Sequence, residues 1–426
     1  MFRLFGAGPR AIAMGGAYSA VADDFAGGYY NPGALPSKSS TRAGIAYQYA
    51  KLRLHSDGGE IPLAHTHRDG FVLGYAFTLP FLDFLKDRIA IGYNLYQPPD
   101  YVMNITVPQP SQPQFVLLES YTQANLMNVA VGVKTIDGVS IGGGLTFAAD
   151  VGGSLDLKPG IRSMQGAEAI MTTVDQDAQT VLSSSAGLYV EPGKFLPALK
   201  AFTFAFVWRD RYYIDLAIPV TILLGTIPLK LDFTSNLIYT PQMYTVGASW
   251  RPHADLLIAA DLTYNVWSDF LSPSLVIDTD ISLPILPLTL LPGRIEDPDF
   301  SDTLTPRVGI EVRAVRKTWG DWIVRGGYAF DPSPVPEQQG WSNFRDGDKH
   351  LFSVGLGFEH HILGENQSRT TLGLQTVFQV QWLRETRHTK TADIPRFSIN
   401  PGYPDISGQG RVYFLGVGFT VEYGGA

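Results

Sequence analysis

Leu256-Leu257-Ile258-Ala259-Ala260-Asp261-Leu262-Thr263-Tyr264-Asn265-Val266 decides how this chain folds. Its even positions, Leu256, Ile258, Ala260, Leu262, Tyr264 and Val266, are apolar, whereas the odd ones include Ala259, Asp261, Thr263 and Asn265. Successive side chains on a strand point to opposite faces, so this stretch reads as a strand with one greasy and one polar face. The same alternation runs through Arg307 to Arg313, where Val308, Ile310 and Val312 separate Arg307, Gly309, Glu311 and Arg313. It recurs in Thr371 to Trp382, where Leu372, Leu374, Phe378, Val380 and Trp382 separate Gly373, Gln375, Gln379 and Gln381. Between Val139 and Phe147 the second face is small (Ser140, Gly142, Gly144, Thr146), and small inward residues leave space in a lumen.

Period-2 segments of roughly ten residues are the mark of transmembrane barrel strands. Fourteen can be drawn, at 41–54, 67–79, 87–97, 124–135, 138–151, 180–191, 200–217, 240–251, 255–268, 304–315, 320–331, 348–361, 369–384 and 410–423. The count is even, as single-chain bacterial barrels require. Connections then alternate between short turns, such as Thr135-Ile136-Asp137-Gly138, and long loops at 98–123, 152–179, 218–239, 269–303, 332–347 and 385–409. Outer-membrane barrels have short periplasmic turns and long external loops, so the alternation of connection lengths supports the strands independently of their side-chain pattern. The expected fold is all-β, a 14-stranded antiparallel transmembrane barrel over 41–426, preceded by a separate unit at 1–40.

Composition agrees. Charged residues make up 17% of the chain, against roughly 25% in soluble proteins, and Gly 44, Tyr 20 and Phe 24 are high. No stretch approaches the roughly 18 consecutive apolar residues of a spanning helix, so a membrane-spanning form has to be a closed barrel. A soluble sandwich accounts for any single strand, but sandwiches do not regularly put aromatics and aliphatics on their outward faces. The absence of cysteine excludes disulfides, thiolate metal sites and cysteine nucleophiles. A net charge of -8, with 32 Lys and Arg scattered without a basic run, argues against nucleic acid as partner. Met1-Phe2-Arg3-Leu4-Phe5 passes directly into Gly6-Ala7-Gly8-Pro9 without the apolar core of a signal peptide, which reads as a mature or trimmed chain.

The first forty residues do not alternate. Gly8-Pro9-Arg10-Ala11-Ile12-Ala13-Met14-Gly15-Gly16-Ala17-Tyr18-Ser19-Ala20-Val21-Ala22-Asp23-Asp24 reads as small helices and turns, followed by Tyr29-Tyr30-Asn31-Pro32-Gly33-Ala34-Leu35. This closely resembles the amino-terminal hatch of the FadL-type (OMPP1/FadL/TodX) family of outer-membrane long-chain fatty-acid and hydrocarbon transporters. Two further stretches match that family, Arg325-Gly326-Gly327-Tyr328-Ala329-Phe330-Asp331-Pro332-Ser333-Pro334-Val335-Pro336 and Asp348 to Gly357, with a weaker match at Asp261 to Phe270 around Trp267-Ser268. One departure is Asn31-Pro32-Gly33, where the family usually has Asn-Pro-Ala, and glycine is expected to loosen the local turn. The resemblance implies a monomer whose lumen is closed on the periplasmic side by a hatch over 1–40. Apolar substrate would enter through external loops, occupy an internal pocket and leave through a lateral opening in the wall. By the same resemblance Met1 and Phe2 reach into that pocket, while Asn31 and Pro32 belong to the gate, although an Asn-Pro pair is in itself a turn former.

The long loops support such a path, since water-exposed loops are normally polar. Three are instead greasy, with Tyr101, Met103, Phe115, Val116, Leu117 and Leu118 in the first, Leu223, Leu224, Ile227 and Phe233 in the second, and Leu283, Ile285 and Leu286 in the third. Contiguous apolar surface facing outward marks substrate capture, loops packed on one another, or a protein partner. Pro108, Pro110, Pro113, Pro284, Pro287 and Pro292 restrain these loops against regular strands. A fatty acid carries a carboxylate, best received by arginine; Arg307 and Arg325 are the inward candidates. Their other reading is a luminal ion pair with Glu311, Glu359 or Asp261, as polar barrel interiors commonly contain.

Catalysis finds no support. His65 and His67, and the adjacent His360 and His361, lack helical metal spacing. Alternation puts His350 on the opposite face from Ser353. The expectation is a non-enzymatic outer-membrane carrier of hydrophobic molecules without cofactor or metal, set in outer-membrane lipid and lipopolysaccharide. A barrel that serves mainly as a docking or secretion partner is the alternative.

Overall fold

The computed structural model describes residues 5–56, 59–61, 66–79, 87–99, 103–104, 113–118, 123–149, 180–224, 227–270, 276–279, 298–339, 343–363, 369–390 and 402–424. Fourteen antiparallel strands form the wall: β1 (Thr41–Ser56), β2 (His67–Thr78), β3 (Ile89–Gln97), β4 (Leu126–Ile136), β5 (Val139–Ala149), β6 (Thr180–Val190) and β7 (Phe202–Arg209) make one half. The other half is β8 (Gln242–His253), β9 (Leu256–Val266), β10 (Thr303–Lys317), β11 (Gly320–Asp331), β12 (Lys349–Leu363), β13 (Arg369–Thr389) and β14 (Asp405–Tyr423). Each pairs with its neighbours in the chain, and β1 pairs with both β2 and β14, which closes the sheet into a barrel. Closure leaves no unpaired edge, the condition for crossing a bilayer with strands. Among the described residues no helix is long and apolar enough to cross a membrane.

Register converts alternation into two surfaces. Ile45, Leu73, Val246, Leu262, Val308, Val354, Leu374 and Phe419 all face outward and exposed, as lipid contact requires. Aromatics gather toward both ends of this band. Phe202 stacks on Trp250, and Trp322 packs on Phe358, at the short-turn end; Tyr328 packs on Phe352, and His350 on Trp382, at the long-loop end. Such girdles mark the two membrane–water interfaces. The turn between β4 and β5 is closed by Gly138 at φ 87, a conformation that suits glycine in a tight hairpin.

Three expectations are corrected. The segment drawn at 200–217 is two elements, because the wall strand ends at Arg209 and a separate hairpin, Tyr212–Leu224 with Ile227–Thr240, takes over. Alternation continues across the break, so the period alone does not reveal the change of sheet. Consequently 218–239 is not an irregular loop: Val276–Thr279 joins the hairpin as a third strand, inside the span drawn as loop 269–303. The last two wall strands also overrun their drawn limits, to Thr389 and from Asp405, which shortens loop 385–409.

The lumen is occupied by the amino-terminal segment. It comprises helices α1 (Pro9–Ala13) and α2 (Gly27–Tyr30) and the 3-10 helix Pro32–Ser37, and it enters β1 at the short-turn end. Pro9 and Pro32 each open their helix, where no backbone donor is missed. Ala11, Ile12, Met14, Tyr18, Phe25 and Leu35 are fully buried. α1 lies against β11 to β14, α2 against β3 and β4, and the 3-10 helix against β2 to β6. Glycines make this contact possible. A Cβ at Gly309 would stand 2.5 Å from the Met14 carbonyl oxygen, and Gly142 and Gly327 are as tightly opposed by Pro32 and Gly15. The inner wall is not uniformly polar, since Leu52, Leu54, Leu383, Val412 and Phe414 point inward and form an apolar cluster with Phe5.

Candidate functional site

Inward polar side chains from around the wall bind the segment's backbone and charges. Asp261 on β9 accepts hydrogen bonds from the Tyr18 and Ser19 backbone N–H groups, both at 3.0 Å, and from Ser19 Oγ at 2.8 Å. Asn94 on β3 donates to the Phe25 carbonyl at 2.8 Å, and Ser249 on β8 donates to that of Ala20. Asn31 accepts from Gly33 N–H at 2.9 Å, capping the 3-10 helix, and donates to the carbonyls of Ser19 and of Leu188 on β6. Asn31 and Pro32 thus sit at a junction of the segment with the wall. Gly33 does not loosen the turn, as the sequence suggested. It is pressed against Gly187, where a Cβ would stand 2.7 Å from the carbonyl oxygen.

Beneath these contacts lies a buried ion network. Arg10 on α1 donates to both carboxylate oxygens of Glu311 on β10, at 2.7 and 2.9 Å, and to Asp23 at 2.5 Å. Arg325 on β11 donates to the same Glu311 at 2.6 Å. Burial alone would raise the Asp23 carboxyl, but Arg10 and Lys38 outweigh it and hold the group well below the usual carboxylate range. Burial pushes the neighbouring Asp24 up. Of the two arginines singled out from the sequence, Arg325 is therefore engaged by Glu311. Glu359 pairs instead with Arg313.

Arg307 has a different setting. It donates to Thr263 Oγ1 at 2.7 Å and lines a cavity of about 140 Å³ between the segment and the wall. Phe5, Gly16, Tyr29 and Tyr30 form the cavity's inner side; Arg209, Asp261, Trp267, Arg307, Lys349 and Gln379 form its wall side. Lys349 is paired with Asp331 at 2.7 Å. Arg209 lies over the Tyr29 ring at 4.3 Å and donates to the Tyr29 carbonyl. Arg307 makes no direct salt bridge among the described residues, although it stands opposite Asp261 in register and close enough for the two charges to interact.

Two apolar clusters meet this cavity. Through Trp267 it adjoins Phe270, Phe300, Phe344, Tyr239, Val116 and Leu117, with Phe270 and Phe300 stacked at 4.2 Å. Through Phe5, stacked on Phe414 at 4.7 Å, it adjoins Phe115, Leu118, Leu54 and Tyr96. Phe115 to Leu118 is consequently buried and not an exposed outer surface, because its apolar side chains pack down onto the barrel interior. Met1, Phe2, Tyr101, Leu283, Ile285 and Leu286 lie outside the described residues. Met103, Leu223, Leu224, Ile227 and Phe233 lie on short or hairpin strands described by their backbone. Sequence reading missed Phe5 and Arg209 at the cavity; Tyr29, Lys349 and Trp267 stood only within motif matches, without a site role.

Residues 5–379 match the family model for outer membrane protein transport proteins (OMPP1/FadL/TodX). The chain belongs to the OMPP1/FadL/TodX family. As a member, it is an outer-membrane transport protein for hydrophobic compounds and stands among transporters and channels rather than enzymes. Among solved structures it resembles a Pseudomonas aeruginosa FadL homologue (15% identity, TM-score 0.56), covering 97% of this chain and 96% of that one. It also resembles the CymD monoaromatic hydrocarbon channel (14% identity, TM-score 0.53, 98% of each chain). A third likeness is the Ralstonia pickettii toluene transporter TbuX (14% identity, TM-score 0.52, 98% of this chain and 99% of that one). At such identity these likenesses speak for the OMPP1/FadL/TodX fold. No curated protein sequence matches the chain.

Proposed function

We propose that this protein carries lipophiles with a carboxylate head, such as long-chain fatty acids, from the external loops into the luminal cavity, and releases them sideways when the amino-terminal hatch shifts. The carrying observation is Arg307, whose facing carboxylate, Asp261, is taken up by the Tyr18 and Ser19 donors, at a cavity that joins two apolar clusters. A guanidinium in low-dielectric surroundings favours a carboxylate strongly. About 140 Å³ is close to the roughly 150 Å³ cavity that holds a benzene ring. An acyl chain needs more, so its tail would run past Trp267 into the aromatic cluster.

The lateral exit is assigned to the wall at Gly44 and Gly74, which are paired across β1 and β2. Outside them lies an apolar groove lined by Ile45, Leu73, Tyr75, Tyr93, Phe419 and Val421. Inside, the Phe25 ring fills the space that a Cβ on either glycine would take. Withdrawing Phe25 with the hatch would thin the wall at one place, toward lipid.

The test pairs mass spectrometry of organic extract from gently solubilised protein with binding of a labelled long-chain fatty acid and of toluene. Arg307→Ala is expected to weaken acid binding about tenfold or more, the loss of one charged hydrogen bond, and to leave toluene binding unchanged. Arg325→Ala separates ion-network damage from head-group recognition. Absence of both extracted lipid and binding would sink this reading. A stoichiometric protein partner would then favour a docking role, for which the three-stranded sheet outside the wall offers a strand edge.

A further inference from the structure

At the long-loop end of the outer wall, three cations stand together on adjacent strands. Lys51 and Arg53 point outward from β1, and Arg411 points outward from β14; all three are exposed. Register sets Arg53 directly opposite Arg411, and Lys51 opposite Tyr413. Like charges directly opposite on a sheet are destabilising. Some exposed arginines are paired, Arg211 with Asp269 at 2.7 Å and Arg387 with Asp405 at 3.3 Å, while Arg88, Arg251, Arg369 and Arg384 stand singly without an ion pair among the described residues; what sets this place apart is three cations together. Lys51, Arg53 and Arg411 have no such partner among the described residues. Asp69, on the neighbouring strand, accepts instead from the Tyr47 hydroxyl at 2.7 Å. The arrangement lacks an anion that the described chain does not supply.

Depth indicates where that anion comes from. Tyr49 stacks on His67 and Tyr47 packs on Phe71 just below the cations, and Trp382 stands opposite Arg411 on its other side. Aromatics of this kind sit at the level of lipid headgroups. The long-loop end faces outward, so the cations meet the outer leaflet, whose glycolipid carries phosphates on a sugar head. Arginine forks take phosphate in two-pronged fashion, and basic clusters at this depth bind lipid heads.

We propose that Lys51, Arg53 and Arg411 form a binding site for a phosphate group of lipopolysaccharide, with Trp382 and Tyr413 against the base of the sugar head. The site is separate from the lumen and does not depend on the substrate carried.

The experiment is native mass spectrometry of the full chain in detergent, titrated with bisphosphorylated lipid A, dephosphorylated lipid A or inorganic phosphate. Folding of each variant is checked by the heat-dependent gel shift of intact barrels. The expected result is one tight lipid A adduct, weakened about tenfold or more in Arg53→Gln/Arg411→Gln and with the dephosphorylated lipid. Lys317→Gln, an exposed change on the opposite rim, is expected to bind as wild type. Undiminished lipid A binding by the folded double variant overturns the proposal. So does displacement of lipid A by equimolar inorganic phosphate, which would assign the cations to the free ion.

Discussion

Arg10 and Glu311 are joined by two hydrogen bonds, 2.7 and 2.9 Å long, across 301 positions of sequence. Through this pair the first helix is held to the tenth strand of the wall, and Arg325 closes the carboxylate from the other side. Removing one member of a buried ion pair costs about 3–5 kcal/mol, because the partner stays buried and uncompensated. Glu311→Gln leaves two guanidiniums in that position. Hydrogen exchange is expected to show residues 5–40 losing protection well before the wall strands; equal loss in both would count against a separately held segment.

Asp23 ties the segment's stability to acid. Its carboxyl lies below its ordinary value when folded, so its contribution is complete above the unfolded value of about 3.9 and is lost as pH falls below it. Asp24, raised by burial, works in the opposite sense, since acid relieves its buried charge. Asp23→Asn should therefore lower the thermal midpoint at pH 7 and reduce its further drop between pH 4 and pH 3. Asp24→Asn should be neutral or stabilising at pH 7. A scanning calorimetry series on the three proteins decides, and the same response from both variants would refute the assignment.

Phe25 against the Gly44–Gly74 pair gives a matched set of variants. Phe25→Ala empties a fully buried aromatic site at a cost of about 3–5 kcal/mol and should speed release of a fluorescent fatty acid into lipid vesicles. Gly74→Val drives a branched side chain into the place the ring occupies and should displace Phe25 without emptying the wall. If neither changes the release rate while both proteins stay folded, the exit lies elsewhere.

Trp267 is shared by the cavity and the aromatic cluster. Trp267→Ala is expected to weaken fatty-acid binding and to lower stability by about 3–5 kcal/mol. Lost affinity for toluene as well as for the acid would place the apolar contact here, in contrast to Arg307→Ala. Isothermal calorimetry with both ligands separates the two.

Strands were readable because each buries one face and shows the other to lipid, a condition that acts on every residue pair without reference to distant sequence. That is why β9 and β13 were visible from Leu256 to Val266 and from Thr371 to Trp382. The break at Asp210-Arg211 was not, since alternation is the same in two different sheets. Glu311 was legible only as one of three inward carboxylates that could meet Arg307 or Arg325; that it stands opposite Arg325 is set by the register, which alternation does not give. Arg10 was not legible, because nothing in residues 5–40 tells which strand 300 positions later will face it. Burial of Phe115 to Leu118 escaped for the same reason: apolar loop residues reveal that they need cover, but not what covers them.

Gly309 and Gly327 receive Met14 and Gly15, and Gly142 receives Pro32, at distances that leave no room for a side chain. Such a wall is shaped around its contents like a casting around a former. Closed without the segment, it would enclose a scalloped void in which Glu311 keeps Arg325 but loses Arg10, and Asp261 loses the Tyr18 and Ser19 donors. The shape of the wall and the shape of the segment are thus a single specification, and a change to either side of these contacts has to be answered on the other.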